Sequence, residues 1–258
     1  MRQIQSYEEL SRAAAGYLRP GVTANVMITR EKFGPDIEAG RLFAQAGEHN
    51  LWIAAHREGH VRLYFYLNDP ARPLERRFDL PAVAEVAFRG GGEKLAALEG
   101  CLALCGLEPA LRRVRLARLP EPPLAGDCAS AGRPSDAGAV SLFLEANFSP
   151  LTGCLPTLDE AFSGMEDRRF LTVEDEKGIA GLIHVTPEKN GVEIRHLAVR
   201  EDRRGQGLAG KLVTACLREN PGKVCRVWVR EDYGSARQVY EQAGFEPDGW
   251  HSQVYLSQ

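Results

Sequence analysis

The chain has 258 residues, 44% of them hydrophobic and 26% charged, with a formal net charge of −3. Such a length suits two modest domains or one large one, with enough apolar residues for a packed core. The slightly negative balance, without any Lys/Arg-rich block, argues against bulk attraction to nucleic acid or to an anionic membrane.

The N-terminal segment Met1–Leu10 is polar and lacks the apolar run of a secretory signal, and no stretch approaches the length that spans a bilayer. The six cysteines, at 101, 105, 128, 154, 216 and 225, include no Cys-x-x-Cys pair and no His partners at zinc-finger spacing. These features predict a reduced, cytoplasmic protein with no metal. Leu51–Ala55 and Val61–Leu67, flanking Glu58-Gly59, predict a β-hairpin. A helical pattern carrying Cys101 and Cys105 as small core residues closes at Cys105-Gly-Leu-Glu-Pro109, and Arg113–Leu119 then reads as a strand.

Residues 119–135 hold four prolines and two glycines, a composition that supports neither a helix nor a central strand. They are read as a linker between an N-terminal α/β domain, 1–118, and a second domain, 136–258. In the second domain, Asp136 caps a helix over Ala137–Asn147. A hairpin follows, Phe170–Val173 and Ile179–Val185 around Lys177-Gly178, then a strand over Val192–Val199. A helix is predicted over Gly207–Glu219, ended by Asn220-Pro221-Gly222, and a strand over Lys223–Val229. The last two elements are a helix over Ser235–Ala243, with Gly244 placed to stop it, and a strand over His251–Leu256. The order of hairpin, helix and strand, with Ala243-Gly-Phe-Glu-Pro247 matching Cys105-Gly-Leu-Glu-Pro109, is a short internal echo that predicts the first half to be a shortened relative of the second.

The chemistry is concentrated in the charged turn Val199–Lys211. Gly205 and Gly207 allow a tight turn that aims several amide N–H groups at one point, and the following helix adds its positive end. Arg203, Arg204 and Lys211 supply charge for a pyrophosphate, and Ala209 keeps the first helical turn small. Gly205-x-Gly207-x-x-Gly210 also fits the dinucleotide fingerprint, with Glu231 at a suitable distance. Context excludes that reading, because a hairpin precedes the loop and few residues follow it. A P-loop is excluded because Leu212 follows Lys211.

From Val192 to Phe245 the sequence resembles the GNAT superfamily of N-acetyltransferases. The resemblance rests on the strand Glu193-Ile-Arg-His-Leu-Ala-Val199, the signature Arg204-x-x-Gly207-x-Ala209, and Ala236-x-x-x-Tyr240-Glu-x-x-Gly244-Phe245. It implies a mixed α/β fold in which a centrally splayed β-sheet is flanked by helices, with a smaller related domain at the N-terminus. It implies that acetyl-CoA is the cosubstrate. The main chain of Leu197, Ala198 and Val199 would line the pantetheine arm, and Arg203, Arg204, Gly205, Gln206, Gly207, Leu208, Ala209 and Lys211 would hold the pyrophosphate. Glu193 falls where some members place a base, and Tyr240 where a tyrosine acid protonates the leaving thiolate. Alternation along the strand predicts that His196 faces away from Glu193, as an imidazole titratable near neutrality. Tyr233 stands where the family often has a cofactor-binding asparagine, with Asp232 as a substitute. In the first half no signature follows the hairpin, and Leu102 stands at the position echoing Tyr240.

The acceptor is expected between Phe148–Thr157 and Pro247–His251, with Asp159, Glu160 and Asp248 as candidate attractors for a cationic amine. Two readings lead: an N-acetyltransferase acting on a primary amine of a small molecule, amino-acid derivative or peptide, and a non-catalytic acyl-CoA-binding module. A structural two-domain protein with a vestigial loop is the third, disfavoured by Arg203, Arg204 and Lys211 beside the glycines. A monomer or homodimer is expected, with neither nucleic acid nor membrane as a partner.

Overall fold

The computed structural model describes residues 1–74, 78–90, 93–120 and 134–257, so most of the expected linker lies outside the described residues. The chain forms two compact units, Met1–Arg112 with Trp250–Gln258, and Arg113–Gly249.

The first unit begins with β1 (Arg2–Gln3) and α1 (Tyr7–Ala15), which Ser6 caps by accepting the Glu9 N–H. Then come β2 (Thr23–Ala24) and α2 (Arg30–Glu38), capped by Thr29 in the same way. Strands β3 (Leu42–Ala46), β4 (Asn50–Arg57) and β5 (His60–Leu67) form an antiparallel meander. Strand β6 (Ala82–Arg89) runs parallel to β5, and α3 (Glu93–Leu104) follows it. Both faces of β4 and β5 are apolar, because each faces a core. Trp52, Ala54, Leu63 and Phe65 pack with Leu98 and Leu102, while Leu51, Ile53, Tyr64 and Tyr66 pack with Leu10 and Phe33. Each large side chain buried this way contributes about 1.5–3 kcal/mol. The one fully buried carboxylate among the described residues, Asp36, is held by Arg57 and by Arg41 at 3.3 Å, so α2 is fastened to the sheet by charge as well as by Phe33.

The second unit takes its first strand from β7 (Leu107–Arg118), of which Arg113–Arg118 lie within it. Helices α4 (Ala137–Asn147), α5 (Pro150–Gly153) and α6 (Leu158–Glu166) come next, with Asp136 capping α4 and a Thr157/Glu160 capping box opening α6. The hairpin β8 (Phe170–Asp175) and β9 (Gly178–Glu188) leads into β10 (Gly191–Val199). Helix α7 (Leu208–Glu219), β11 (Val224–Arg230), α8 (Gly234–Gln242) and β12 (Glu246–Ser257) complete the chain. Within this unit β8, β9, β10, β11 and the Arg113–Arg118 part of β7 lie side by side. Among its described residues only β10 and β11 are parallel, as the α7 crossover between them requires. Leu212, Val213 and Cys216 of α7 and Tyr240 of α8 cover one face, and Val140, Leu144 and Ala161 cover the other.

The two expected domains therefore exchange their ends. Arg113–Arg118 pair with β11 in the second unit, from Arg113↔Arg230 to Arg118↔Cys225. Trp250–Leu256 of β12 pair with β6 in the first, and Gln253 donates to the Leu111 carbonyl there.

Candidate functional site

Strand β10 is regular against both neighbours only as far as Ile194. Its parallel pairing with β11 ends at Ile194↔Val227, although β10 continues to Val199 and β11 to Arg230. At the same point its register against β9 shifts, from Ile194↔Val185 to His196↔His184, leaving Arg195 as an extra residue. The bulge turns the strand away from β11 and opens a gap between the two. The Arg200 N–H donates to the Ala180 carbonyl on β9, so alternation commits Ala198 to β9 as well. The main-chain groups that face the gap are those of Leu197 and Val199. Of the three residues expected to line a pantetheine arm, Ala198 is thus turned the other way.

At the mouth of the gap, Arg200 anchors the loop. Its guanidinium donates to Asp175 at 2.7 and 3.2 Å and to Asp202 at 2.7 Å, while Lys177 reaches Asp202 at 3.2 Å. These bonds, Arg200 first, hold the Asp202 carboxyl down at about 2 and the Asp175 carboxyl below its usual range. After a 3₁₀ turn at Glu201–Arg203, Gly205 (φ +75°) and Gly207 (φ +74°) occupy the left-handed region. A Cβ on either would meet nothing within 4 Å, so the demand for glycine there is conformational. Helix α7 has no side-chain cap, and its first turn closes with the Lys211 N–H donating to the Gly207 carbonyl at 3.1 Å. The N–H groups of Leu208, Ala209 and Gly210 are left open toward the loop.

The three expected cations behave differently. Arg203 is 3.4 Å from Asp175 and serves the loop's own structure. Arg204 donates through Nε to the Val199 carbonyl at 3.1 Å, which fixes its stem across the gap and leaves the rest of the guanidinium for a ligand. Lys211 is exposed on the first turn of α7. Gln206 donates to the Asp202 carbonyl at 3.4 Å and so helps close the turn. A pocket of about 500 Å³ begins where the loop ends, lined by Gly210 and Thr214 of α7, Val239, Gln242 and Ala243 near the end of α8, Gly244 and Arg118.

Tyr240 is only 4% exposed and belongs to the core under α7, edge-on to Phe245. Burial, followed by the Cys216 and Cys225 thiols beside it, pushes the phenol well above its usual range, so it stays protonated. Glu193 bonds Arg195 at 2.5 Å. Tyr233 is 54% exposed at the start of α8 and caps nothing; the Arg230 guanidinium lies over its ring, 4.9 Å from the centroid. Asp232, the proposed substitute, is held by Arg230 at 2.6 and 2.9 Å.

His196 departs from expectation twice. The extra residue at the bulge reverses the alternation, so Leu197 joins Val192 and Ile194 in one core while His196 lies with Phe148 and Phe170, on the face of Glu193. It is also 2% exposed, and burial drives its pKa down to about 4 rather than leaving it near neutrality. Its Nε2 lies 2.8 Å from the Gly153 carbonyl, which only accepts, so Nε2 carries the proton. Its Nδ1 therefore accepts from Nδ1–H of His184, 3.1 Å away. This pair and Arg113, which donates to the Thr152 carbonyl at 2.7 Å, pin the 149–154 turn to the sheet.

Most of the expected acceptor-attracting carboxylates are engaged. Asp248 is paired with Arg115 at 2.7 Å, and Glu160 accepts the Thr157 N–H in its capping box. Among the described residues no group of His, Cys, Asp and Glu is arranged to hold a metal ion, and no helix is long and apolar enough to cross a membrane.

A parallel strand pair that opens at a bulge, with a glycine loop and an uncapped helix at its mouth, defines the acyl-CoA N-acyltransferase fold. Residues 166–247 match the family model described as an acetyltransferase (GNAT) domain, which places a GNAT domain within the C-terminal half of the chain. The fold extends over the whole chain. A GNAT-family acetyltransferase from Colwellia psychrerythraea aligns with a TM-score of 0.56 and 15% identity, covering 99% of this chain and 98% of that one. A GCN5-related N-acetyltransferase from Kribbella flavida gives 0.56 and 15% over 90% and 96%. A tandem GNAT protein from the clavulanic acid biosynthesis pathway gives 0.52 and 18% over 81% and 78%. No curated protein matches the sequence.

Proposed function

We propose that the second unit transfers an acetyl group from acetyl-CoA to a primary amine of a small molecule, an amino-acid derivative or a peptide. The observation that carries this reading is the gap beside Leu197 and Val199 opening directly onto the uncapped amides of Leu208–Gly210. An extended amide-bearing arm suits the first, and a pyrophosphate suits the second together with Arg204 and Lys211. The pocket at Gly210 and Thr214, with Arg118 on its wall, continues the same track and suits the adenosine end.

The chemistry then asks two things of the chain. An alkylammonium with a pKa near ~10 must lose a proton before its nitrogen can attack the thioester carbonyl. Glu193 is the carboxylate on β10 assigned to take it. As the tetrahedral intermediate collapses, the C–S bond breaks and the thiolate accepts a proton, for which Tyr240, held neutral by burial, is assigned. One observation favours the alternative of a non-catalytic acyl-CoA-binding module, namely that Tyr240 lies within a core cluster.

Titration calorimetry with acetyl-CoA tests the site: wild type should bind, and Arg204→Ala should weaken binding at least tenfold. No binding by wild type would remove both readings. Thiol release from acetyl-CoA across a panel of primary amines tests the chemistry, and a flat response to every amine would leave the binding module.

A further inference from the structure

The first unit contains the same strand arrangement as the second, but its gap is filled. Strands β5 and β6 are paired in parallel only from Val61↔Ala82 to Leu63↔Ala84, while β5 runs on to Leu67 and β6 to Arg89. They part at a position matching the divergence of β10 from β11. Here β2 lies along the far half of β5, with Thr23↔Leu67 and Ala24↔Tyr66. Asn25 follows at the fork itself. Its side-chain Nδ2 donates to the Leu63 carbonyl of β5 at 3.1 Å and to the Glu85 carbonyl of β6 at 3.2 Å. Its Oδ1 accepts the Phe65 N–H at 2.8 Å. The Tyr66 hydroxyl donates to the Val26 carbonyl at 2.9 Å and ties down the residues beyond.

We infer that the first unit is an acyltransferase-type fold liganded by its own chain, with the Asn25 carboxamide standing where a cosubstrate amide would bridge the strands. The chain accordingly takes one acyl-CoA, and the gap between β10 and β11 holds it. The Leu197 main chain and the Val199 N–H, which face the gap in the second unit, are the kind of groups that Asn25 satisfies in the first; the Val199 carbonyl is already taken by Arg204. The phosphate end is missing too: among the described residues between Leu67 and Ala82 there is no helix whose N-terminus faces the fork. Leu102, at the position echoing Tyr240, is fully buried and carries no proton to give. Displacing Asn25 would strand the Leu63 and Glu85 carbonyls and the Phe65 N–H together, so the plug is a permanent part of the unit. The stoichiometry rests on the cosubstrate reading above; the plug does not.

Amide hydrogen exchange of the full chain, with and without CoA, separates the two. Phe65 should be protected without ligand, exchange roughly tenfold faster in Asn25→Ala, and be unaffected by CoA. Leu197 and Val199 should exchange readily and gain protection when CoA binds, with a calorimetric stoichiometry of one and an affinity that Arg204→Ala lowers at least tenfold. A stoichiometry of two, or CoA-dependent protection over residues 61–67, would overturn the inference. So would a Phe65 amide that exchanges freely in the wild type, a result readable even if Asn25→Ala fails to fold. CoA that protects neither fork would sink the cosubstrate reading, while slow exchange at Phe65 would still support the plug.

Discussion

Acidification should destabilise the second unit through His196, and the size of the effect follows from its surroundings. In the unfolded chain the imidazole has its ordinary pKa of about 6.5; in the folded chain burial, with Arg195 and Arg113 nearby, lowers it to about 4. Below pH 6.5 the unfolded state therefore takes up a proton that the folded state refuses. Stability is fully present above that pH and is lost as the pH falls toward 4. At 1.36 kcal/mol per pH unit the whole difference is roughly 3 kcal/mol, of which about 2.5 kcal/mol disappears between pH 7.5 and 4.5. Burial lowers His184 in the same direction, adding to the slope. The contrast is with His196→Gln, whose amide still donates to the Gly153 carbonyl and does not titrate. Urea unfolding followed by exchange of β9 and β10 amides isolates this unit, and wild type should lose about 2.5 kcal/mol more than the variant. Imidazole resonances followed by NMR give the native pKa directly. Equal pH slopes, or a His196 resonance titrating near 6.5, would refute the reasoning.

Three further outcomes are expected. Gly191→Ala places a Cβ 2.3 Å from the Val224 carbonyl, backbone against backbone where β10 and β11 are still paired, and thermal unfolding should show a loss of at least ~2 kcal/mol. Tyr240→Phe removes a hydroxyl that makes no hydrogen bond among the described residues, so stability should change by less than ~0.5 kcal/mol. If Tyr240 is the acid, kcat should fall about 100-fold with acetyl-CoA affinity unchanged, and an unaltered kcat would strip it of that role. Asp36→Ala leaves Arg57 and Arg41 without their buried counter-charge and should cost about 3 kcal/mol in chemical denaturation of the first unit.

What could be read in the sequence was local. Asp136 and Asn147 bound α4 as expected, the turn at Lys177-Gly178 joins β8 to β9, and Gly207 and Asn220 bracket α7. The phosphate loop was legible because glycine at a left-handed position and a bare helix N-terminus leave a pattern within ten residues. The face of His196 was not, because period-two alternation has no way to signal an extra residue at Arg195. Helix α6 carries a capping box, Thr157-x-x-Glu160, but Pro150, Pro156 and the left-handed Cys154 just before it break the pattern and hide the helix in what reads as loop. The short elements α1, α2 and β2 are held by tertiary contact more than by pattern, and a lone asparagine at position 25 carries no sign of the strands it joins. The exchange of terminal strands was equally hidden, since β7 and β12 look alike and only distant partners decide where each belongs.

That exchange sets a timetable for synthesis. The second unit already has Arg113–Arg118 when β11 leaves the ribosome, so its sheet can be completed as the chain emerges. The first unit, though made first, lacks the partner of β6 until Trp250–Leu256 are released, after the whole of the second unit. It must wait with β6 as an open edge, where an unpaired row of donors and acceptors invites mispairing with other chains. Truncation meets the same constraint from the other side. A cut at the apparent domain boundary takes an edge strand away from whichever half is kept, so the two halves are inherited, and fail, together.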